Sequence, residues 1–168
     1  MFPEHNDYDN SHDKLDQMPL YQKGKEITDL VRTIADLIAD GDDPLGYTKQ
    51  LMLEDAYILC AKIAAAEGGD LYDIRMENAA LIRRAAQSLK LHIHSLHQFG
   101  FEHAEYYMLV REKVEEYRLL FIDWVAGFDK TNYVVDRWGL FNPLGVNPDD
   151  DGFDSGRFGD FFDEEDEE

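Results

Sequence analysis

LYDIRMENAALIRRAAQSLKLHIHSLHQFGFEHAEYYMLVREKVEEYRLLFIDWVAGF, residues 71–128, is the stretch whose reading decides the fold. Its first half places Leu71, Ile74, Leu81, Ile82, Ala85, Leu89, Ile93 and Leu96 on one apolar face of a helix. In its second half Tyr107, Val110, Val114, Tyr117, Phe121, Trp124 and Phe128 recur at spacings of three and four. That is the period of a stripe packed along a neighbouring helix. The turn signal Phe99-Gly100 between them is short, so the two helices form a hairpin. Two helices cannot cover two such stripes, and the chain upstream must supply more.

It supplies two. A first helix is expected from Pro19-Leu20 to about Asp40, with Leu20, Ile27, Leu30, Val31, Ile34, Leu37 and Ile38 inward and Gly41 ending it. Asp43 then stands where an N-cap is wanted, and Pro44 occupies the first helical position, where a missing N–H costs nothing. The second helix, Pro44 to Glu67, is apolar around most of its circumference, with only a narrow polar strip near Lys49, Asp55 and Lys62. Such a helix needs burial on more than one side, which points to contact with another subunit through Leu51, Ile58, Leu59 and Ile63. Gly68-Gly69 ends it, and Asp70 is placed to cap the third helix. The expectation is an all-α protein, an antiparallel up-down four-helix bundle over residues 19–128.

Residues 1–18 are polar, rich in Asp, Asn and His, and read as a flexible lead-in. Residues 129–148 carry Tyr133, Val134, Val135, Trp138, Leu140 and Phe141, too apolar for a linker, and are broken by Gly139, Pro143, Gly145 and Pro148. They read as an extended arm docked on a hydrophobic groove through Trp138, Leu140 and Phe141. From Asp149 to Glu168 there are eleven acids and one base, Arg157, interspersed with Phe153, Phe158, Phe161 and Phe162, a composition expected to be disordered alone. This tail carries half of the formal net charge of −20, and the body from Pro19 to Pro148 is only mildly acidic. Its chemistry suits docking on a positively charged protein, or simply keeping a sticky oligomer dispersed.

Catalytic and metal readings find little. His94 and His97 share a helical face but His92 does not, so the three are not a metal-binding set. Paired Glu-x-x-His motifs, which a di-iron bundle needs, are absent, and Arg84 and His92 are too far apart for a helical-bundle ribonuclease pair. The single cysteine, Cys60, lies in the most apolar stretch and reads as a small buried hydrophobe. No catalytic, cofactor or metal residue is assigned. No apolar run approaches the roughly 20 residues a membrane span needs, and no leader is evident; the expectation is a soluble cytoplasmic protein.

The basic residues are the remaining candidates. Arg83, Arg84 and Lys90 on the third helix, with Arg111, Lys113 and Arg118 on the fourth, could form a band facing RNA or an acidic protein patch. The alternative is that they are solvated or paired with Glu112, Glu115 and Glu116, or screened by the acidic tail.

Leu20-Tyr21-Gln22-Lys23, then Pro44, then Leu81-Ile82-Arg83-Arg84-Ala85-Ala86, then Tyr106-Tyr107 and Trp124, in this order, resemble the bacterial four-helix-bundle family that includes proteins encoded in intervening sequences of 23S ribosomal RNA genes. Within it the chain is most similar to the accessory variability proteins of diversity-generating retroelements. The Trp138-Gly139-Leu140-Phe141-Asn142-Pro143 segment resembles an arm of longer members. The resemblance implies a homopentamer without catalytic activity, which binds a reverse transcriptase and its template RNA for mutagenic cDNA synthesis. Nucleic-acid-binding members are typically basic, because counterion release supplies much of the affinity, and this chain departs from them in charge. An acidic oligomeric adaptor, binding a basic protein through its tail with no nucleic-acid role, is the alternative.

Overall fold

The computed structural model describes residues 14–150. It is all-helical: α1 spans Pro19–Ala35, α2 Pro44–Glu67, α3 Tyr72–Gln98 and α4 Met108–Ala126, with a short 3-10 turn, Ala104–Tyr107, before α4. There is no strand among the described residues. Helix α1 packs on α2 and α4, α2 on α3, and α3 on α4. One core runs between them, built on Ile27, Val31, Met52, Leu59, Ile63, Ile82, Leu89, Leu96, Tyr107, Val110 and Tyr117.

The approach of α1 to α2 depends on small residues. A Cβ on Gly24 would lie 2.9 Å from the Cys60 Sγ, and the Thr28 hydroxyl lies within hydrogen-bond distance of both the Gly24 and Ala56 carbonyls, at 2.9 and 3.1 Å. Cys60 is therefore a packing residue at a close helix crossing, and burial pushes its thiol pKa up. Across the core the Tyr117 hydroxyl donates to the Leu59 carbonyl at 3.3 Å.

Several boundaries depart from expectation. Helix α1 stops at Ala35 rather than near Asp40, because the chain tightens into i→i+3 bonds from Leu37 to Ile34 and from Ile38 to Ala35. The tightening keeps Ile38 buried and turns Leu37 outward, half exposed. The freed Ile38 carbonyl accepts from the Lys49 ammonium of α2 at 2.9 Å. Asp43 and Pro44 do start α2 as expected, with the Asp43 carboxylate accepting from the Gly46 N–H at 2.7 Å. Of the α3 residues expected on the apolar face, Ile74 and Leu81 are exposed. The hairpin turn is longer than Phe99-Gly100 alone: Gly100 takes a left-handed φ of 75°, and the 3-10 turn intervenes before α4.

Residues 14–18 are not a loose lead-in. Leu15 and Met18 pack against the core, and Gln22 on α1 donates to the Asp16 carbonyl at 2.8 Å. The acidic tail from residue 151 onward and the N-terminal residues 1–13 lie outside the described residues.

Candidate interaction surfaces

The first candidate surface is the outer face of α2. At 100° per residue, Tyr47, Leu51, Glu54, Ile58, Ala61 and Ala65 fall on one stripe, with Tyr57 beside it. Tyr47, Leu51, Tyr57, Ala61 and Ala65 are exposed and Ile58 is half-buried against the core. Glu54 is the one charged group among these residues. Leu59 and Ile63, expected at an oligomer interface, are instead fully enclosed in the protomer's own core. Their positions on the helix, about 80° and 120° around from Leu51, turn them to the protomer's core. The near-complete apolar circumference of α2 thus divides into a core face and an outer stripe, and the sequence pattern alone could not say where one stops.

The second is the basic band on α3 and α4. Lys90 of α3 forms an ion pair with Glu115 of α4, and Arg118 Nε reaches the same carboxylate at 2.8 Å. Those two cations hold the Glu115 carboxyl down to about 2, the Lys90 bond being the larger cause. Lys113 is engaged toward α1, 2.8 Å from Glu26, and Lys23 of α1 reaches Glu116 at 2.7 Å. Arg111 contacts the Met108 sulfur. Arg83 and Arg84 are exposed and have no ion pair among the described residues. The band is therefore partly consumed in pairs that cross between helices, not only along them.

Beneath Arg83, Lys90 and Arg118 the contact between α3 and α4 opens into a groove of about 300 Å³, floored by Ile82, Ala86, Tyr117, Phe121 and Ile122. Three other hollows have acidic rims. One lies by Asp40, Asp42 and Lys49, one by Asp43, Glu102 and His103, and one by Asp73, Glu77 and Asp136 with Arg137.

The third is the segment after α4. It docks, but not through the expected side chains: Trp138 and Leu140 are 89% and 75% exposed, and only Phe141 is half-buried. Docking runs through backbone instead. The Asn132 carbonyl accepts from the Tyr72 N–H at 2.7 Å, the Asn132 amide donates to the Asp70 carbonyl at 2.7 Å, and the Val134 N–H donates to the Asp73 carboxylate at 2.9 Å. The chain thereby occupies an orphan donor at the start of α3, the task expected of Asp70. Val135 and Pro143 are buried. Between them the chain is not extended: the Asp136 carboxylate accepts from the N–H groups of Trp138, Leu140 and Phe141 at 2.9, 2.8 and 3.0 Å, and Asn142 closes the loop. Those three bonds hold the Asp136 pKa down. An extended arm would have left these backbone groups to water; a single carboxylate collects them into a turn that faces Trp138 outward.

Two polar clusters went unread in the sequence. Glu67, at the end of α2, accepts from Arg75 of α3 at 2.6 Å and from the Trp124 indole of α4 at 2.9 Å. The Arg75 guanidinium lies 4.9 Å from the Phe128 ring centre. Three helix ends are joined there, which gives Trp124 a specific partner rather than a purely apolar role. His92, buried on α3, has Nε2 2.7 Å from the Asp55 carboxylate of α2, with the Ser88 hydroxyl 3.4 Å from the same nitrogen. Because Ser88 and Asp55 share one ring nitrogen, the trio lacks the relay through opposite nitrogens that activates a serine. His94 is exposed and His97 lies 3.5 Å from Glu105. No group of three or more His, Cys, Asp or Glu placed to hold a metal occurs among the described residues. No helix among them is long and apolar enough to cross a membrane.

Comparison of the chain with protein-family models, with curated proteins and with solved structures gives no match.

Proposed function

We propose that this chain is a non-catalytic accessory protein of the cytoplasm: an antiparallel up-down four-helix bundle that assembles into a ring and serves a reverse transcriptase and its template RNA, in the manner its resemblance to the retroelement accessory proteins implies. The cyclic order of helix contacts, α1 to α2 to α3 to α4 and back to α1, suits that bundle. One observation carries the assembly. The outer stripe of α2 presents Tyr47, Leu51, Ala61 and Ala65 to solvent over five turns with a single acid among them. Contiguous apolar surface of that kind on a folded domain marks an interaction site, and a repeated heterologous contact closes into a ring. Arg83 and Arg84 are the cations best placed for phosphate.

Light scattering on the purified chain, alone and with a structured RNA at low and moderate salt, tests this reading. The expected result is a mass near five chains and an RNA affinity that falls steeply with salt. A monomer overturns the ring, and an oligomer indifferent to RNA overturns the nucleic-acid role.

The second reading is an acidic oligomeric adaptor that captures a basic protein through residues 149–168. It is favoured by the pairing of Lys90, Arg118, Lys113 and Lys23 with glutamates, which leaves fewer cations for phosphate.

A further inference from the structure

We infer that the groove between α3 and α4 is the seat of this chain's own C-terminal tail, with phenylalanines on its floor and carboxylates at its rim. The inference concerns a contact within one chain and stands whether or not RNA or a basic protein is the client.

Charge selects the groove. Its rim carries Arg83, Lys90 and Arg118 against Glu115, whereas each of the other three hollows is bordered by at least two acids. A segment with nine acids and one base beyond Asp150 is repelled from those and attracted to this one. Arg83 is exposed with no ion pair among the described residues, so it can take a carboxylate without breaking an existing bond. Lys90 and Arg118 already share Glu115, and a second carboxylate would extend that cluster rather than disrupt it.

Apolar chemistry selects the part of the tail. Phe158, Phe161 and Phe162 fall within five residues and are flanked by Asp154, Asp160 and Asp163. The floor offers the exposed Ile122 with the half-buried Phe121 and Ala86, over a fully enclosed Ile82. Aromatic rings set there remove apolar surface from water on both partners, while the adjacent acids meet the cations. Neither half of this match is available to a tail that is only acidic, or to a groove that is only basic.

Reach permits it. The described chain ends at Asp150, next to the Asp136 loop, where Arg137 donates to the Pro148 carbonyl at 2.8 Å. That loop borders Asp73 and Glu77 in the first turns of α3. From Asp73 to Lys90 the helix rises about 25 Å at its usual pitch. The eleven residues from Asp150 to Phe161 span up to about 36 Å when extended, enough to run along α3 and cross to its other side.

The test uses the full chain with Cys60→Ala and Ser155→Cys, a nitroxide spin label on the new thiol, and isoleucine methyl groups observed by NMR. The expected result is strong broadening of Ile82 and Ile122 with Ile38, in the turn that follows α1, unaffected. Arg83→Glu, at an exposed position, should restore most of the lost Ile82 and Ile122 intensity. Mixing spin-labelled chains that carry no observed methyls with methyl-observed chains that carry no label separates copies. Broadening that persists in this mixture overturns the intrachain contact in favour of a neighbour's tail. Unbroadened Ile82 and Ile122 in the singly labelled chain overturn it outright, as does broadening that Arg83→Glu leaves unchanged.

Discussion

A methyl group added at Gly46 would sit 2.1 Å from the Gly41 carbonyl oxygen, a distance at which backbone must move. In an ordinary helix interior Gly→Ala gains about 0.5–1 kcal/mol. Here the first turn of α2 is pressed against the loop that delivers it, and the Asp43 carboxylate bonds to the same residue's N–H. Gly46→Ala should therefore destabilise by about 1–3 kcal/mol, the usual range for overpacking a closed site, read as a lower midpoint in urea. An unchanged or raised midpoint would show that the loop yields freely. Asp43 and Pro44 were legible as a helix start because capping is local chemistry. Gly46 was not, because the need for it comes from a loop residue five positions earlier folding back onto the helix.

At the scale of elements, α1 and α4 are tied by Lys23, Glu26, Lys113 and Glu116. Lys113, then Lys23, holds the Glu26 pKa down, and Lys23, then Lys113, holds Glu116 down. Between α3 and α4, Lys90 and Arg118 hold Glu115 down to about 2. A carboxylate whose folded pKa is depressed contributes stability that is present above its unfolded value, about 4.3, and is lost as pH falls through the folded value. The melting temperature should accordingly fall between about pH 4.5 and pH 2, and Lys113→Met should make that acid fall shallower by releasing Glu26 and Glu116. These groups are largely exposed, so the effect is a few degrees and shrinks in salt; an acid limb identical in Lys113→Met would remove the network from the account. The same elements show what periodicity can and cannot report. The stripes of α3 and α4 located Ile82, Leu89, Leu96, Tyr107, Val110 and Tyr117 in the core, because a half-buried helix writes its buried face into its sequence. Asn78 and His92 sit buried on that α3 face despite being polar, since Asn78 donates to the Ile74 carbonyl and His92 meets Asp55. Asn78 is served within its own helix, four residues back, whereas the partner of His92 lies across space on α2 and leaves no local signature. Trp138 and Leu140 were misplaced for a related reason: apolar composition signals that a segment avoids water somewhere, and the loop is in fact organised by the Asp136 carboxylate and attached through backbone.

On the scale of the whole molecule, the question is how many of α2's apolar residues one protomer can use. Met52, Ala56, Leu59, Ile63 and Ala66 are enclosed by the other helices, and Tyr47, Leu51, Tyr57, Ala61 and Ala65 are not. A charge placed on the two sets should have opposite consequences. Leu59→Asp puts an unpaired carboxylate into a closed core and should prevent folding, because an uncompensated buried charge is expensive. Leu51→Glu together with Ala61→Glu alters only outward positions, nearly three turns apart on one stripe, and should leave the helical circular dichroism and the melting transition of the protomer in place. If the stripe is where copies meet, that double variant should scatter light as a single 19.4 kDa chain while the parent scatters as a ring. Ile58→Asp falls between the two, since its side chain packs partly on the core, and is expected to lose both stability and assembly. A double variant with the parent's mass would place the meeting surface elsewhere, whatever the behaviour of Leu59→Asp.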